Sequence, residues 1–301
     1  MRKIIIITIL LSITSFSGCK LLDAAADVAA ATGVMSSDQA QYVKSGAKVA
    51  GKAFDAAKDI TPEQEYYIGR AVGATILKTY KPYENRAVNT YINTIGQALA
   101  MASDNPETFG GYHFLVLDTD EINAFGAPGG LIFVSRGLLR YCKNEDMLAA
   151  VLAHEVGHVQ NKHGLRAIKS SRWSATAVTA LAETGKSLGG QQVAELTSAL
   201  EGTISDITST MVNSGYARKL ETEADNSAVT ILARLGYNPS GLKDMLQEMD
   251  KRMNHNGPGF AKTHPDPKVR IKDITSLIDN YGPVTTPTKR QERFKKALAG
   301  I

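Results

Sequence analysis

Residues 149–164, AAVLAHEVGHVQNKHG, set two histidines four positions apart with a glutamate directly after the first. Four residues are about one turn of α-helix, so His154 and His158 project from one face and can share an ion, with Glu155 beside them. In such an arrangement two imidazoles hold zinc, and the neighbouring glutamate stays unligated and takes a proton from water activated there. The five letters alone suit a solvent-facing helix equally well. The flanks decide: Leu148, Val151, Leu152, Val156 and Val159 recur at helical spacing and give the segment a buried face. Asn144 ahead of Glu145 and Asp146 reads as a capped helix start with acids in its first turn, and Gly164 reads as the stop. The histidine pair therefore falls in mid-helix, where backbone geometry is firm.

A zinc enzyme needs a third protein ligand and an open fourth position. The continuation HExxHxxGxxH does not supply it, because Asn161 takes the glycine place, Gly164 takes the histidine place and His163 comes one residue early. His163 reads instead as a cation near a helix C-terminus. Further on, GYARKLETEADNSAV offers Glu221 and Asp225, four apart on one helical face, with Arg218 three residues earlier on nearly the same side. Glu221 is the expected third ligand. Asp225 is suited to accept the remaining ring N–H of a liganded histidine, with Arg218 holding a carboxylate in register and Glu223 an exposed acid.

These segments, together with TPEQEYYIGRAVG, INAFGAPGGLIFVSRGLL and THPDPKVRI, resemble a family of gluzincin zinc metallopeptidases. It includes the CAAX prenyl protease, HtpX, the Oma-type mitochondrial protease and the envelope proteases BepA and LoiP. The likeness covers roughly residues 61–275 and is strongest to the bacterial envelope lipoproteins. The resemblance implies an α+β, mainly α, zincin-like metalloprotease fold with a small sheet packed beside the HExxH helix. It implies one Zn2+ per chain on His154, His158 and Glu221, with Glu155 catalytic and Asp225 supporting the site. It also implies endopeptidase action on misfolded or misassembled envelope proteins. A different class of function, a proteolytically quiet chaperone or assembly factor binding client strands in the same cleft, is the alternative. Ala217 stands where the family commonly has serine, so a hydroxyl is missing there. His264, in the stiff KTHPDPKVR segment, has three open readings: an oxyanion stabiliser, a ring that blocks the metal, or a histidine bonded within its own turn.

YHFLVLD (112–118) and LIFVS (131–135) read as buried strands on either side of INAFGA and the turn Pro128–Gly130. Asn123, Ala124 and Phe125 fall where a sheet edge can take a substrate peptide as an added strand. His113 reads as structural. Ile68, Val72 and Ile76, then Val88, Ile92, Ile95 and Leu99, form core stripes, and Thr61, Pro62 and Gln64 read as a capping box opening the domain.

At the N-terminus, MRK and IIIITILLSITSF have the charge and length of a leader, and SGC resembles a bacterial lipobox with Phe16 in place of the usual leucine. The expected organisation is a signal peptide over 1–18, an Ala-rich tether over 19–60, a peptidase domain over 61–280 and a basic tail over 281–301. Lipidation of Cys19 would anchor the catalytic part to a membrane, with the outer membrane and the periplasmic side favoured because Lys20 is not an aspartate. That leaves Cys142 as an unpaired, buried residue. Loss of Arg2 and Lys3 takes the formal net charge from +4 to +2, too little to suggest nucleic acid as a partner. The basic C-terminal stretch reads as a solvated helix. Residues 170–215 read as helical pieces lying over or beside the cleft, as a lid or an oligomer contact.

Overall fold

Thr61 opens the first helix as its capping box predicts: its hydroxyl accepts from the Gln64 amide at 3.2 Å, and the Gln64 side chain accepts from the Thr61 amide at 2.9 Å. The computed structural model describes residues 60–167, 201–252, 263–264, 267–282 and 284–301. In chain order these form α1 (Pro62–Thr79), α2 (Arg86–Met101), β1 (His113–Leu117), β2 (Ala124–Ala127), β3 (Leu131–Ser135) and α3 (Arg136–Tyr141). They continue with α4 (Glu145–Gln160), α5 (His163–Arg166), α6 (Glu201–Ser209), α7 (Arg218–Arg234), α8 (Ser240–Arg252), α9 (Pro267–Asp279) and α10 (Thr288–Ala297). The result is the mainly helical α+β fold that the resemblance implies. The leader, Cys19 and the tether up to residue 59 lie outside the described residues, as do residues 170–200 of the segment read as a lid or an oligomer contact. No helix among the described residues is long and apolar enough to cross a membrane.

Both core stripes are buried as expected, from Ile68 to Ile76 on α1 and from Val88 to Leu99 on α2. The sheet has the order β1-β3-β2, with β1 parallel and β2 antiparallel to β3. The outer side of β1 is covered by amide side chains of α2. Asn93 accepts from the Phe114 amide at 3.0 Å and donates to the Phe114 carbonyl at 2.5 Å, and Asn89 accepts from the Val116 amide at 3.0 Å. Gln97 donates to the Tyr112 carbonyl. The opposite outer strand, β2, lies against α4: a Cβ on Gly126 would stand 2.7 Å from the Glu155 carbonyl oxygen.

The C-terminal stretch departs from its expected reading. α10 is docked rather than simply solvated, because Phe294 is buried and two of its arginines meet the acids of the first turn of α4. Arg290 Nη1 lies 3.0 Å from Asp146 Oδ1, and Arg293 donates through Nε to Glu145 at 2.7 Å. Tyr91 and Tyr237 also donate to Glu145, at 2.7 and 2.9 Å. Burial pushes the Glu145 carboxyl up, but these hydrogen bonds outweigh it and hold the group below its ordinary value of 4.5. A depressed folded pKa contributes stability above the unfolded value and loses it as pH falls through the folded one. Glu145→Gln should therefore be less stable than wild type at neutral pH, with the gap in urea midpoint closing below the ordinary value of 4.5. A gap that stays constant down to about pH 3 would detach the carboxylate from α10 docking.

Candidate metal centre

Asn144 caps α4, its side chain accepting from the Met147 amide at 2.8 Å, and the helix is buried from Glu145 to Val159. α7 crosses it closely. A Cβ on Gly157, inside the HExxH segment, would lie 2.8 Å from the Ala224 carbonyl oxygen, so the glycine lets the two backbones approach. That approach carries Glu221 and Asp225 onto the histidines. Ala217 stands at the N-cap of α7 with no side-chain cap bond, in line with the missing hydroxyl.

Four donor atoms converge, from His154, His158, Glu221 and His264, all within 4.8 Å of one another and all buried. The Nε2 atoms of His154 and His158 are 3.0 Å apart, and each is 3.4 Å from a Glu221 oxygen. His264 Nδ1 lies 2.8 Å from Glu221 Oε2 and 3.3 Å from His154 Nε2. Glu221 Oε1 is buried with no hydrogen-bond partner among the described residues. Imidazole nitrogens aimed at one another around an orphaned carboxylate oxygen are unfavourable as a hydrogen-bond network and suited to a cation. The donor set thus fits a divalent metal ion.

The charges agree. Burial would push Glu221 up, yet His264, His154 and His158 hold it well below the usual carboxylate range. Burial and Arg270 push the His154 ring down, but Asp225 and Glu221 outweigh them and raise it to about 9. Its surroundings therefore favour a positive charge at that ring, as a proton or as a metal cation. Burial keeps His158 uncharged, well below its ordinary value.

Asp225 lies beside His154, its Oδ1 2.9 Å from His154 Nδ1. Its cation is not the expected one. Arg218 points to solvent, 3.6 Å from Asp273, whereas Arg270 of α9 grips Asp225 through Nε at 2.8 Å and Nη2 at 2.6 Å. Arg270 was legible in principle, because it shares the buried stripe of α9 with Ile274 and Ile278. A cation in an apolar stripe marks a buried partner. Burial would raise Asp225, but Arg270 and His154 bring it to about 2.

His163 also differs from its reading as a C-terminal cation. α4 ends at Gln160 with Asn161 as its C-cap, and Lys162 turns the chain with φ 54, which aims His163 back into the interior. Burial lowers the ring to about 4, so it is uncharged at neutral pH. Gly164 is not the stop; its missing Cβ leaves room for Pro128, whose Cγ would be 2.9 Å away. Glu223 is half-buried and pairs with Arg166 at 2.5 Å rather than standing exposed. Tyr216, a residue the motifs did not single out, stacks on His158 with centroids 4.4 Å apart, and its buried hydroxyl lacks a partner among the described residues.

Glu155 is buried, with Oε1 unpartnered among the described residues. Burial outweighs the nearby histidines and raises its carboxyl. Asn123, Ala124 and Phe125 are all buried, and the Asn123 backbone N–H donates to Ser135 Oγ at 3.0 Å. His113 is exposed, and its ring bonds within its own turn, to the Gly110 carbonyl. Cys142 is buried, its thiol pushed up to about 12 by burial, as a small core residue should be.

The chain is 29% identical to the beta-barrel assembly-enhancing protease of Escherichia coli (strain K12) over 237 residues, 77% of this chain and 46% of that protein. It is 33% identical to the mitochondrial metalloendopeptidase OMA1 of Schizosaccharomyces pombe over 162 residues, 52% of this chain and 43% of that protein. A putative beta-barrel assembly-enhancing protease of Vibrio cholerae is 29% identical over 238 residues. The chain thus spans less than half the length of these relatives. The family model for Peptidase family M48 matches residues 86–278, a span that holds all four converging donors, Glu155 and the Asp225–Arg270 pair. The chain that builds this centre belongs to peptidase family M48.

Proposed function

We propose that the chain is a zinc-dependent endopeptidase of the bacterial cell envelope, acting on misfolded or misassembled envelope proteins. The observation that carries this reading is the buried donor cluster with Glu155 unpartnered beside it. The names of the bacterial relatives support an envelope protein as substrate. The SGC segment supports a lipid anchor on Cys19 and a place on the outer membrane facing the periplasm.

His154, His158 and Glu221 would hold the zinc, which when bound would supply Lewis acidity toward water and the scissile carbonyl. Glu155 takes the proton of the attacking water as its oxygen bonds to the carbonyl carbon, then delivers that proton to the amine nitrogen as the C–N bond breaks. Asp225 accepts from His154 Nδ1, which leaves Nε2 as the ligand atom, and Arg270 keeps Asp225 anionic. A peptide added beside β2 would run next to Glu155, because β2 itself lies there. A catalytic centre needs an open position, and His264 is the fourth of the converging donors, so it is the one that would give way to substrate. The chaperone alternative leaves the donors and Glu155 without work.

Zinc content together with cleavage of an unfolded outer-membrane protein tests the reading, and a pure binding module should show neither. Glu221→Ala should lose the metal, whereas His264→Ala should keep it and cleave faster. A fall in kcat of about 100-fold in His264→Ala would instead assign that ring to the oxyanion.

A further inference from the structure

A histidine that ligates through one ring nitrogen must have its other nitrogen protonated, and the partner of that second nitrogen sets the tautomer. For His154 the partner is the Asp225 carboxylate. For His158 it is another imidazole, with His163 Nδ1 2.8 Å from His158 Nδ1. Two facing nitrogens at that distance share one proton, so one of them is bare. If His163 carried it, His158 would have to hold its own proton on Nε2, the atom directed at Glu221 and His154. Ligation by His158 therefore requires His163 to be bare at Nδ1 and protonated at Nε2. The outer end of the chain enforces that. His163 Nε2 lies 3.2 Å from Glu223 Oε2, a carboxylate that only accepts, and Arg166 holds Glu223 through Nη1 at 2.5 Å and Nη2 at 3.4 Å. His163 itself is fully buried.

We propose that His163 is a positioning residue that locks His158 in its ligand tautomer, and that Glu223, fixed by Arg166, sets the direction of the hydrogen-bond chain from outside. This role rests on the metallopeptidase reading. It is distinct from packing, and one pair of variants separates the two. His163→Asn keeps an acceptor oxygen close to the place of Nδ1 but fills less space, whereas His163→Leu fills more space and accepts nothing.

Zinc affinity of the full chain, measured by competition with a chromogenic chelator, should fall about 10- to 100-fold in His163→Leu. His163→Asn should stay within about threefold of wild type, because its acceptor replaces the lost nitrogen. Thermal melting of the metal-free proteins, read alongside, should rank the pair the other way. Glu223→Ala, at a half-buried position outside the core, should also weaken zinc binding without lowering the melting temperature of the metal-free chain. Affinities that follow packing, with leucine tighter than asparagine, or wild-type affinity in both His163→Leu and Glu223→Ala, would overturn the role of His163 alone. A wild-type chain that takes up no zinc would overturn the metallopeptidase reading and this role with it.

Discussion

Glu155→Gln should retain about one zinc per chain while its peptidase turnover falls by about 10²- to 10⁴-fold, the scale of a lost general base. Its carboxylate is not one of the four converging donors, so the substitution leaves the ligand set intact. The amide matches the carboxylate in size but cannot take a proton from water. A second consequence separates this site from ordinary core. Glu155 Oε1 is buried without a hydrogen bond among the described residues, and burying a charge in that way opposes folding. The glutamine variant should therefore melt no lower than wild type, and it should do so with its activity gone. Metal analysis, turnover and calorimetry on one preparation decide the matter, and undiminished turnover would remove Glu155 from the mechanism.

Arg270→Met should be the most destabilising single change at the centre. The guanidinium makes two hydrogen bonds to Asp225, and both side chains are almost fully buried, at 3% and 1% exposure. Removing one partner strands the other charge in the interior, at a cost of about 3–5 kcal/mol. The sign of the pair's own contribution is a separate matter, because neutralising both partners removes the stranded charge. Arg270→Met with Asp225→Leu should thus recover much of the stability lost by Arg270→Met alone. It should not recover metal affinity, since His154 Nδ1 would still lack its acceptor. Urea denaturation of the metal-free proteins measures the first effect, and a single variant within about 1 kcal/mol of wild type would show that Asp225 is neutralised from elsewhere.

Periodicity made the helices legible, and with them which residues share a face. The stripes of α1 and α2, the capped start of α4 and the four-residue spacings of His154 with His158 and of Glu221 with Asp225 are all local properties. What periodicity does not carry is which faces meet. Arg218 lies near Glu221 in sequence and looked like its companion, but the cation on Asp225 comes from α9, 45 residues away. His163 was misread because its position was judged on a continuing helix. A lysine at φ 54 is uncommon enough that no spacing rule anticipates it. The arginines of α10 read as solvated for a related reason: their partners on the first turn of α4 lie 144 and 148 residues away in the chain.

The amides along α2 have a consequence for a protein proposed to live among unfolded clients. A bare strand flank recruits other strands, and an enzyme surrounded by unpaired chains would risk becoming a template for them. Asn89, Asn93 and Gln97 insulate β1 through a coincidence of two repeats. Four helical residues advance about 6 Å, two strand residues about 6.6 Å, and so every fourth side chain of α2 stays in step with every second residue of β1. With that flank insulated, the strand addition proposed above would take place, among the described strands, at β2 beside Glu155. Under that proposal, recruitment of a client and its destruction would share one address.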